Sequence, residues 1–143
     1  MKLIRKEIIT LPSEENKIEH IVRYMPWFTN RICINVLYGD IDILHSHPWN
    51  FFSFILWGGY YETLVEETGV TTHTRKPGFF CFRTMNQYHI IKPIKKYAVT
   101  LFVRGKIESY TKFLVNGKEM RDSKFWLSQG YSKQEIFNSA KIL

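Results

Sequence analysis

Five histidines occur in the 143-residue chain, and two of them, His45 and His47, stand two positions apart. Both lie at the end of a predicted strand, where alternate residues project from the same face of the sheet. His89 follows a predicted turn at Thr84–Gln87 and begins another strand, so a neighbouring strand can bring its imidazole alongside. Three imidazoles on one face form a facial metal site. The alternative is that each ring forms ordinary hydrogen bonds at a polar barrel mouth.

The elements that position these histidines are predicted to be β-strands. Aromatic and β-branched residues come in short runs about ten residues apart, and no long helical period occurs. The pairs Gly58-Gly59, Pro77-Gly78 and Asn116-Gly117 favour tight turns because they tolerate positive φ. This pattern predicts an all-β antiparallel sandwich or barrel. The predicted strands are Lys2–Thr10, Arg31–Leu37, Ile41–His45, Phe52–Trp57, Tyr60–Glu66, Val70–Arg75, Phe79–Arg83, Tyr88–Lys92, Tyr97–Arg104 and Glu108–Val115.

Two stretches carry weaker helical signals. Ser13–His20 is compatible with a short helical turn, and Ser132 with Glu135 has the spacing of a capping box before an apolar pair. We therefore include a short C-terminal helix as an option in an otherwise all-β fold. No internal repeat or linker divides the sequence, so residues 1–143 are expected to form a single domain.

Composition indicates a globular protein. Hydrophobic residues make up 45% of the chain and charged residues 23%, as in folded domains. No apolar run reaches the roughly 20 residues that span a bilayer, so we expect no membrane partner. Cys33 and Cys81 are far apart, and each lies inside an apolar run. We predict buried free thiols in a reducing compartment, which favours a cytoplasmic location.

The net charge of +7 favours anionic partners. The basic residues are spread along the chain and no nucleic-acid-binding motif is present, so a small anionic molecule is a stronger expectation than nucleic acid. Arg104 ends a predicted strand, and its guanidinium can hold a carboxylate or phosphate through two parallel hydrogen bonds. We therefore predict that Arg104 contacts the ligand; the alternative, for Arg104 as for the other basic residues near predicted turns, is a solvated loop charge.

Around the histidines the chain resembles the cupin superfamily in two motifs. The first spans residues 39–59: Gly39, five residues, His45-Ser46-His47, four residues, Phe52, six residues and Gly59. The second spans residues 78–93: Gly78, five residues, Thr84-Met85-Asn86, two residues, His89, three residues and Pro93. A closer resemblance is to small cupins of phage and bacterial genomes that carry His-x-His-Pro-Trp-(Asp/Asn)-Phe, here residues 45–51. If the chain is phage-encoded, the compartment is the host cytoplasm.

The resemblance implies a jelly-roll barrel with one divalent metal ion in its mouth, held by His45, His47 and His89. Phe52 stands where the cupin motif has Glu, commonly a fourth ligand, so the implied site has three histidines, as in thiol dioxygenases. We expect the Phe52 ring to point inward as an apolar wall. We expect Glu62 on an exposed face, where it does not replace the missing ligand. Fe(II) is favoured, and zinc, manganese or nickel are alternatives.

These features favour an Fe(II) oxygenase that acts on a small, anionic molecule. Three histidines leave up to three octahedral positions for O₂ and a bidentate substrate. Zinc with the same ligands would suit hydrolysis instead. The alternative from another class is a non-catalytic cupin that binds a small anion such as a nucleotide. Homodimerisation through edge strands is common among cupins and would cover an exposed sheet edge.

Further residues near the predicted barrel mouth are candidates for ligand binding. Trp49 is a potential stacking platform, with ordinary packing as the alternative. Asn50 is predicted either to orient a ligand or to form a turn. His73 is predicted at the surface, and His20 is interpreted as a local structural group. The full set of predicted ligand-binding residues is Tyr38, Trp49, Asn50, Phe52, Tyr88 and Arg104, and the candidate proton-transfer groups are Tyr38, Asn50, Ser53 and Tyr88.

Overall fold

A computed structural model of the protein describes residues 3–11, 18–39, 41–109, 111–115 and 118–121. Within these ranges every helix or strand assigned is a β-strand, and none of the described residues is helical. The strands, in chain order, are β1 (Ile4–Leu11), β2 (Ile18–Pro26), β3 (Ile32–Leu37), β4 (Ile41–Ser46), β5 (Phe51–Trp57), β6 (Tyr60–Glu66), β7 (Gly69–Arg75), β8 (Phe80–Arg83), β9 (His89–Pro93), β10 (Ala98–Arg104), β11 (Lys112–Val115) and β12 (Lys118–Arg121).

The strands form two antiparallel sheets of six strands each. The first sheet has the order β1-β2-β3-β10-β5-β8, and the second has the order β12-β11-β4-β9-β6-β7. Strands that follow one another in the chain, such as β3 and β4, or β4 and β5, lie in opposite sheets. This exchange between sheets is typical of a jelly-roll sandwich, so the predicted all-β fold is confirmed.

The core lies between the two sheets. Burial alternates along β3, β5, β6 and β10, as expected for strands with one face on a core. One cluster of buried side chains comprises Met25, Cys33, Phe51 and Phe102. A second cluster comprises Leu37, Ile55, Tyr60 and Ala98. Both cysteines are buried free thiols, as predicted.

The turn between β5 and β6 requires glycine at both positions. Gly58 and Gly59 have φ angles of 82° and 78°. A Cβ atom would lie 2.5 Å from the carbonyl oxygen of Tyr97 at Gly58, and 2.5 Å from that of Arg75 at Gly59. Any side chain there would clash with backbone, so the predicted tight turn is confirmed and the start of β6 is fixed.

The sequence-based expectation for Ser13–His20 is partly wrong. Residues 18–20 belong to β2, which pairs with β1 on one side and with β3 on the other. The backbone hydrogen bonds of those pairings favour a strand over a helical turn, and they cannot be read from the local sequence alone. Residues 13–17, the Asn116-Gly117 turn and the C-terminal helix near Ser132 and Glu135 lie outside the described residues. In the described ranges no helix is long and apolar enough to cross a membrane.

Candidate metal centre

Two paired strands of the second sheet bring the histidines together. His45 on β4 is the direct register partner of His89 on β9. The register shifts between Ile41 and His45, and such an irregularity re-aims side chains at the end of a strand. His47 lies one residue beyond the end of β4, on the same side as His45. The predicted convergence of the three rings is therefore present.

The ring nitrogens of His45, His47 and His89 are close enough to share one ion. One ligand atom from each residue lies within 4.8 Å of the others, and the Nε2 atoms of His47 and His89 are 3.0 Å apart. Two ligands at right angles, each about 2.1 Å from one ion, would be separated by about 3.0 Å. Only 7% of His45 and 3% of His89 are exposed, while His47 is half-buried. The donor set therefore fits a divalent metal ion of facial geometry.

Glu62 on β6 sets the tautomer of His89. Its Oε2 atom lies 2.9 Å from Nδ1 of His89. An ionised carboxylate can only accept, so Nδ1–H donates and the Nε2 lone pair of a neutral ring faces the cluster. This is the carboxylate–histidine arrangement that commonly orients metal ligands from behind. The expectation that Glu62 lies on an exposed face is wrong, because only 1% of it is exposed.

Two arginines compensate the buried charge of Glu62. Arg83 donates from Nη2 to Oε1 at 2.6 Å, and Arg75 donates from Nε to the same oxygen at 3.2 Å. Burial by itself would raise the pKa of Glu62, but the hydrogen bonds from His89 and Arg83 outweigh it and hold the pKa at about 2. The carboxylate is therefore ionised at neutral pH. Tyr60 and Leu64, two positions away on the same strand, share its inward face, and this alternation is the signal that could have found it.

Phe51, and not Phe52, forms the apolar wall of the site. Phe51 is 4% exposed, and its ring centroid lies 4.9 Å from that of His47. Phe52 is 42% exposed and packs against Phe80 and Phe82 on the outer face of the first sheet. The prediction of an inward Phe52 is therefore wrong. Neighbouring residues of a strand point to opposite faces of the sheet, and in β5 the side chain of Phe51 points inward while that of Phe52 points outward.

A cavity of about 60 Å³ adjoins the three histidines. Its apolar lining includes Phe51 and Phe102, and its polar lining includes three residues of the first sheet: Arg23, Asn35 and Thr100. Sequence reasoning missed these three because their strand positions became neighbours only through the pairing of β2, β3 and β10. The cavity thus places a cationic and two neutral polar groups beside the histidine cluster.

The protonation of His47 suits metal ligation. Burial holds the pKa of His47 well below its usual range. The positive charges that protonated His45 and His89 would carry lower this pKa further. The ring is therefore neutral at neutral pH, with a lone pair available for an ion. Burial raises the pKa of the Cys81 thiol, which also lines the cavity, so this group stays protonated.

Trp49 and Arg104 pack together beside the cluster but do not line the cavity. The Trp49 ring stacks on His47 with centroids 6.1 Å apart, and its Nε1 atom is buried without a hydrogen-bond partner among the described residues. The Arg104 guanidinium carbon lies 4.4 Å from the centre of the Trp49 ring, and its Nε donates to the carbonyl oxygen of Asn30 at 2.9 Å. Arg104 thus covers the tryptophan from the rim.

The structure places the other predicted ligand-binding residues outside the cavity. Asn50 accepts at Oδ1 from the backbone N–H of Met85 at 2.9 Å, and so it ties two loops together. The Tyr88 hydroxyl donates to Glu119 at 2.7 Å, and Tyr38 is 47% exposed. His73 lies on β7 near Thr71, and the side chain of His20 is outside the described part of the chain. Of the proton-transfer candidates, Ser53 alone lines the cavity.

Comparisons with known proteins inform the fold. No family model and no curated protein matches the chain. Hydroxypropylphosphonic acid epoxidase from S. wedmorenis is similar at a TM-score of 0.53 and 16% identity, over 70% of this chain and 55% of that one. A structure of FeII HppE is similar at a TM-score of 0.54 and 14% identity, over 70% of this chain and 56% of that one. The Drosophila melanogaster CENP-C cupin domain has a TM-score of 0.49 and 10% identity, over 69% of this chain and 76% of that one.

At these identities the similarity concerns the fold. The chain spans slightly more than half the length of the epoxidase structures. Together with the two antiparallel sheets, the similarity to the first two of these structures supports a double-sheet, all-β fold, and the described residues add a three-histidine cluster to it.

Proposed function

We propose that this protein is a metal-binding cupin that uses Fe(II) to oxidise a small, anionic molecule with O₂. The observation that carries the proposal is the convergence of three imidazoles, with ligand atoms within 4.8 Å, on one wall of a cavity. His45, His47 and His89 would hold the ion, which when bound supplies Lewis-acid and redox chemistry. The FeII-containing HppE with a similar fold supports the choice of metal.

The charges around the centre support an anionic substrate. Three neutral imidazoles leave the charge of a divalent ion uncompensated, and this favours an anion in the open positions. Glu62 adds one negative charge behind His89, but Arg75 and Arg83 supply two positive ones. The net charge of these three side chains is therefore positive. An anion entering the cavity gains electrostatic energy from this environment.

The size of the cavity supports a small substrate. At about 10–15 Å³ per water-sized group, its 60 Å³ accept roughly four to six such groups. Phe51 and Phe102 stack with ring centroids 4.7 Å apart and form the apolar side of the lining. These rings would exclude water from the bound molecule, and exclusion of water strengthens the electrostatic interactions within the site. Glu62 would hold the His89 ring in its ligating tautomer.

We extend the proposal to class and location. The residues from His45 to Phe51 favour a small cupin of the His-x-His-Pro-Trp type found in phage and bacterial genomes. The two buried free thiols favour a reducing, cytoplasmic compartment.

Anaerobic titration with Fe(II), followed by calorimetry and metal analysis, tests the centre. Wild type should bind one ion per chain, and its melting temperature should rise with metal concentration. His45→Gln, His47→Gln and His89→Gln should each weaken binding strongly. His73→Gln is the matched control because it removes an imidazole outside the cluster, on β7, and it should bind as wild type does. Equal affinity in all four variants would refute the centre.

Oxygen consumption separates catalysis from capture. The Fe(II)-loaded protein is offered small carboxylates and phosphonates in air-saturated buffer, and O₂ uptake is followed with an electrode. Substrate-dependent uptake that His89→Gln abolishes would support the oxygenase. Tight binding of metal and anion without uptake across the panel would favour the alternative, a non-catalytic cupin that sequesters an anion.

We also propose that two copies associate through a sheet edge. Strand β8 ends the first sheet, and its outward residues Phe80 and Phe82 are 58% and 48% exposed. A second copy would cover this edge and its aromatic side chains. Light scattering coupled to size-exclusion chromatography should give a dimer, and Phe80→Ser should shift it towards the monomer. A monomeric wild type would contradict this part of the proposal.

A further inference from the structure

A polar row crosses the first sheet at the level of the cavity. Glu7 on β1 is the register partner of Arg23 on β2, which in turn is opposite Asn35 on β3. Asn35 is opposite Thr100 on β10. Arg23, Asn35 and Thr100 line the same cavity as the histidines, which belong to the second sheet and its end. The two sheets therefore present a polar row and a metal centre to one small space.

The guanidinium of Arg23 is held by its neighbours in the row. Its Nε donates to Oδ1 of Asn35 at 2.9 Å, and its Nη1 lies 3.5 Å from Oε2 of Glu7. The Arg23 side chain is only 14% exposed. The hydrogen bond to Asn35 uses one of the five N–H donors of the guanidinium, Glu7 adds an ion pair, and no other hydrogen-bond acceptor contacts the group within the described ranges. The remaining donors are therefore fixed in direction without being saturated.

Recognition of an anion by Arg23 would depend mainly on these remaining N–H donors, which form a fork of fixed direction. Glu7 offsets the charge of Arg23 over long distances, so the pair contributes little net field. At close range the donors of a guanidinium match two oxygens of one anion.

We propose that Arg23, positioned by Glu7 and Asn35, binds the oxyanion end of a small bifunctional ligand whose other end reaches the three histidines. This inference rests on the proposed function, since the second end of the ligand needs the metal centre. The shared chemistry is a terminal group with two acceptor oxygens, either a carboxylate or a phosphonate. Thr100, 3% exposed, supplies a neutral hydroxyl beside it. The cavity volume limits the ligand to a few non-hydrogen atoms.

Calorimetric titration of the Zn(II)-loaded and the metal-free full-length protein tests the assignment. The probes are acetate and glycolate for carboxylates, and methylphosphonate and inorganic phosphate for tetrahedral anions. Arg23→Gln should weaken binding of the preferred class by about 10- to 100-fold. Arg23→Lys should give an intermediate loss, because it keeps the charge and loses the fork. Arg31→Gln is the matched control because Arg31 is exposed and carries the same charge, and it should bind as wild type does.

The outcomes separate this inference from the proposed function. Zn(II) affinity should be the same in wild type, Arg23→Gln and Arg31→Gln. If wild type binds Zn(II) and Arg23→Gln keeps wild-type anion affinity, the Arg23 site is refuted and the metal centre stands. If wild type binds no metal, the proposed function fails, while loss of anion binding to metal-free Arg23→Gln still supports the site. If Arg23→Gln does not fold by circular dichroism, Arg23→Lys decides, and wild-type anion affinity in that variant refutes the fork.

Discussion

The Nδ1 atom of His89 lies 2.9 Å from Oε2 of Glu62, and this contact joins the histidine cluster to a buried ion-pair network. Glu62 also accepts from Arg83 at 2.6 Å and from Arg75 at 3.2 Å. The cupin motif commonly supplies a carboxylate as a direct metal ligand. In this chain the Glu62 carboxylate lies behind His89, on the Nδ1 side of the ring, and does not belong to the three-histidine cluster.

Glu62→Gln should weaken metal binding without removing any of the three histidine ligands. The amide oxygen can still accept from His89 Nδ1, but the charge that strengthens this hydrogen bond is lost, and two arginines lose their counter-charge. Loss of such an outer partner typically costs about 10- to 100-fold in metal affinity. Calorimetric titration with Zn(II) measures it. Glu66→Gln on the same strand is the control because Glu66 is exposed, and a variant pair with equal affinities would contradict the role of Glu62.

The same carboxylate should make stability depend on pH in the acid range. Because the pKa of Glu62 is about 2 in the folded protein and about 4.5 without its partners, the unfolded state takes up a proton first as pH falls. The stabilisation is fully present above about pH 5 and is lost progressively between about pH 4.5 and 2, amounting to about 3 kcal/mol. Urea denaturation at a series of pH values should show this slope in wild type and a shallower one in Glu62→Gln. Parallel slopes would contradict the network.

Much of the fold could be predicted because strand signals are local. The glycine pair Gly58-Gly59 at the β5–β6 turn and the alternating burial of β5 and β10 depend on residues that are adjacent in the sequence. Strand β2 was missed because its evidence is not local: it is held by pairing with β1 and β3, elements that lie before and after it in the chain.

The three-histidine cluster could be predicted from the sequence, but its surroundings could not. His45 and His47 share a face by strand geometry, whereas the position of Glu62 behind His89 depends on which strands become neighbours. The error at Phe52 has a different origin. The cupin motif has either three or four residues between His-x-His and its Glu position. A spacing of four selects Phe52 and Gly59, whereas a spacing of three selects Phe51 and Gly58, in agreement with the inward alternation of β5. Arg23 belongs to no motif and came into the cavity through sheet pairing.

The two phenylalanines offer a matched pair for introducing the missing carboxylate. Phe51→Glu should place a carboxylate beside His47 and tighten Zn(II) binding, because a charged oxygen ligand then joins three neutral nitrogens. The metal-free variant should lose stability, by about 3–5 kcal/mol as for loss of a buried aromatic ring. Phe52→Glu should leave Zn(II) affinity unchanged because this ring lies on the outer face.

Zn(II) titration and thermal melts with and without metal distinguish the two positions. The expected pattern is a low melting temperature for metal-free Phe51→Glu that rises more on metal addition than in wild type. Tighter Zn(II) binding in Phe52→Glu than in Phe51→Glu would restore the original assignment of the motif position.

Arg104 should contribute to stability more than to ligand affinity. Arg104→Ala removes the hydrogen bond to the Asn30 carbonyl and the contact with the Trp49 ring, which together predict a loss of about 1–2 kcal/mol in the free energy of unfolding. Affinity for phosphate or acetate should stay at the wild-type level, because Arg104 does not line the cavity. Urea denaturation and anion titration on one preparation measure both quantities. A variant with wild-type stability and clearly weakened anion binding would show instead that the guanidinium meets the ligand, as its place at the end of a strand first suggested.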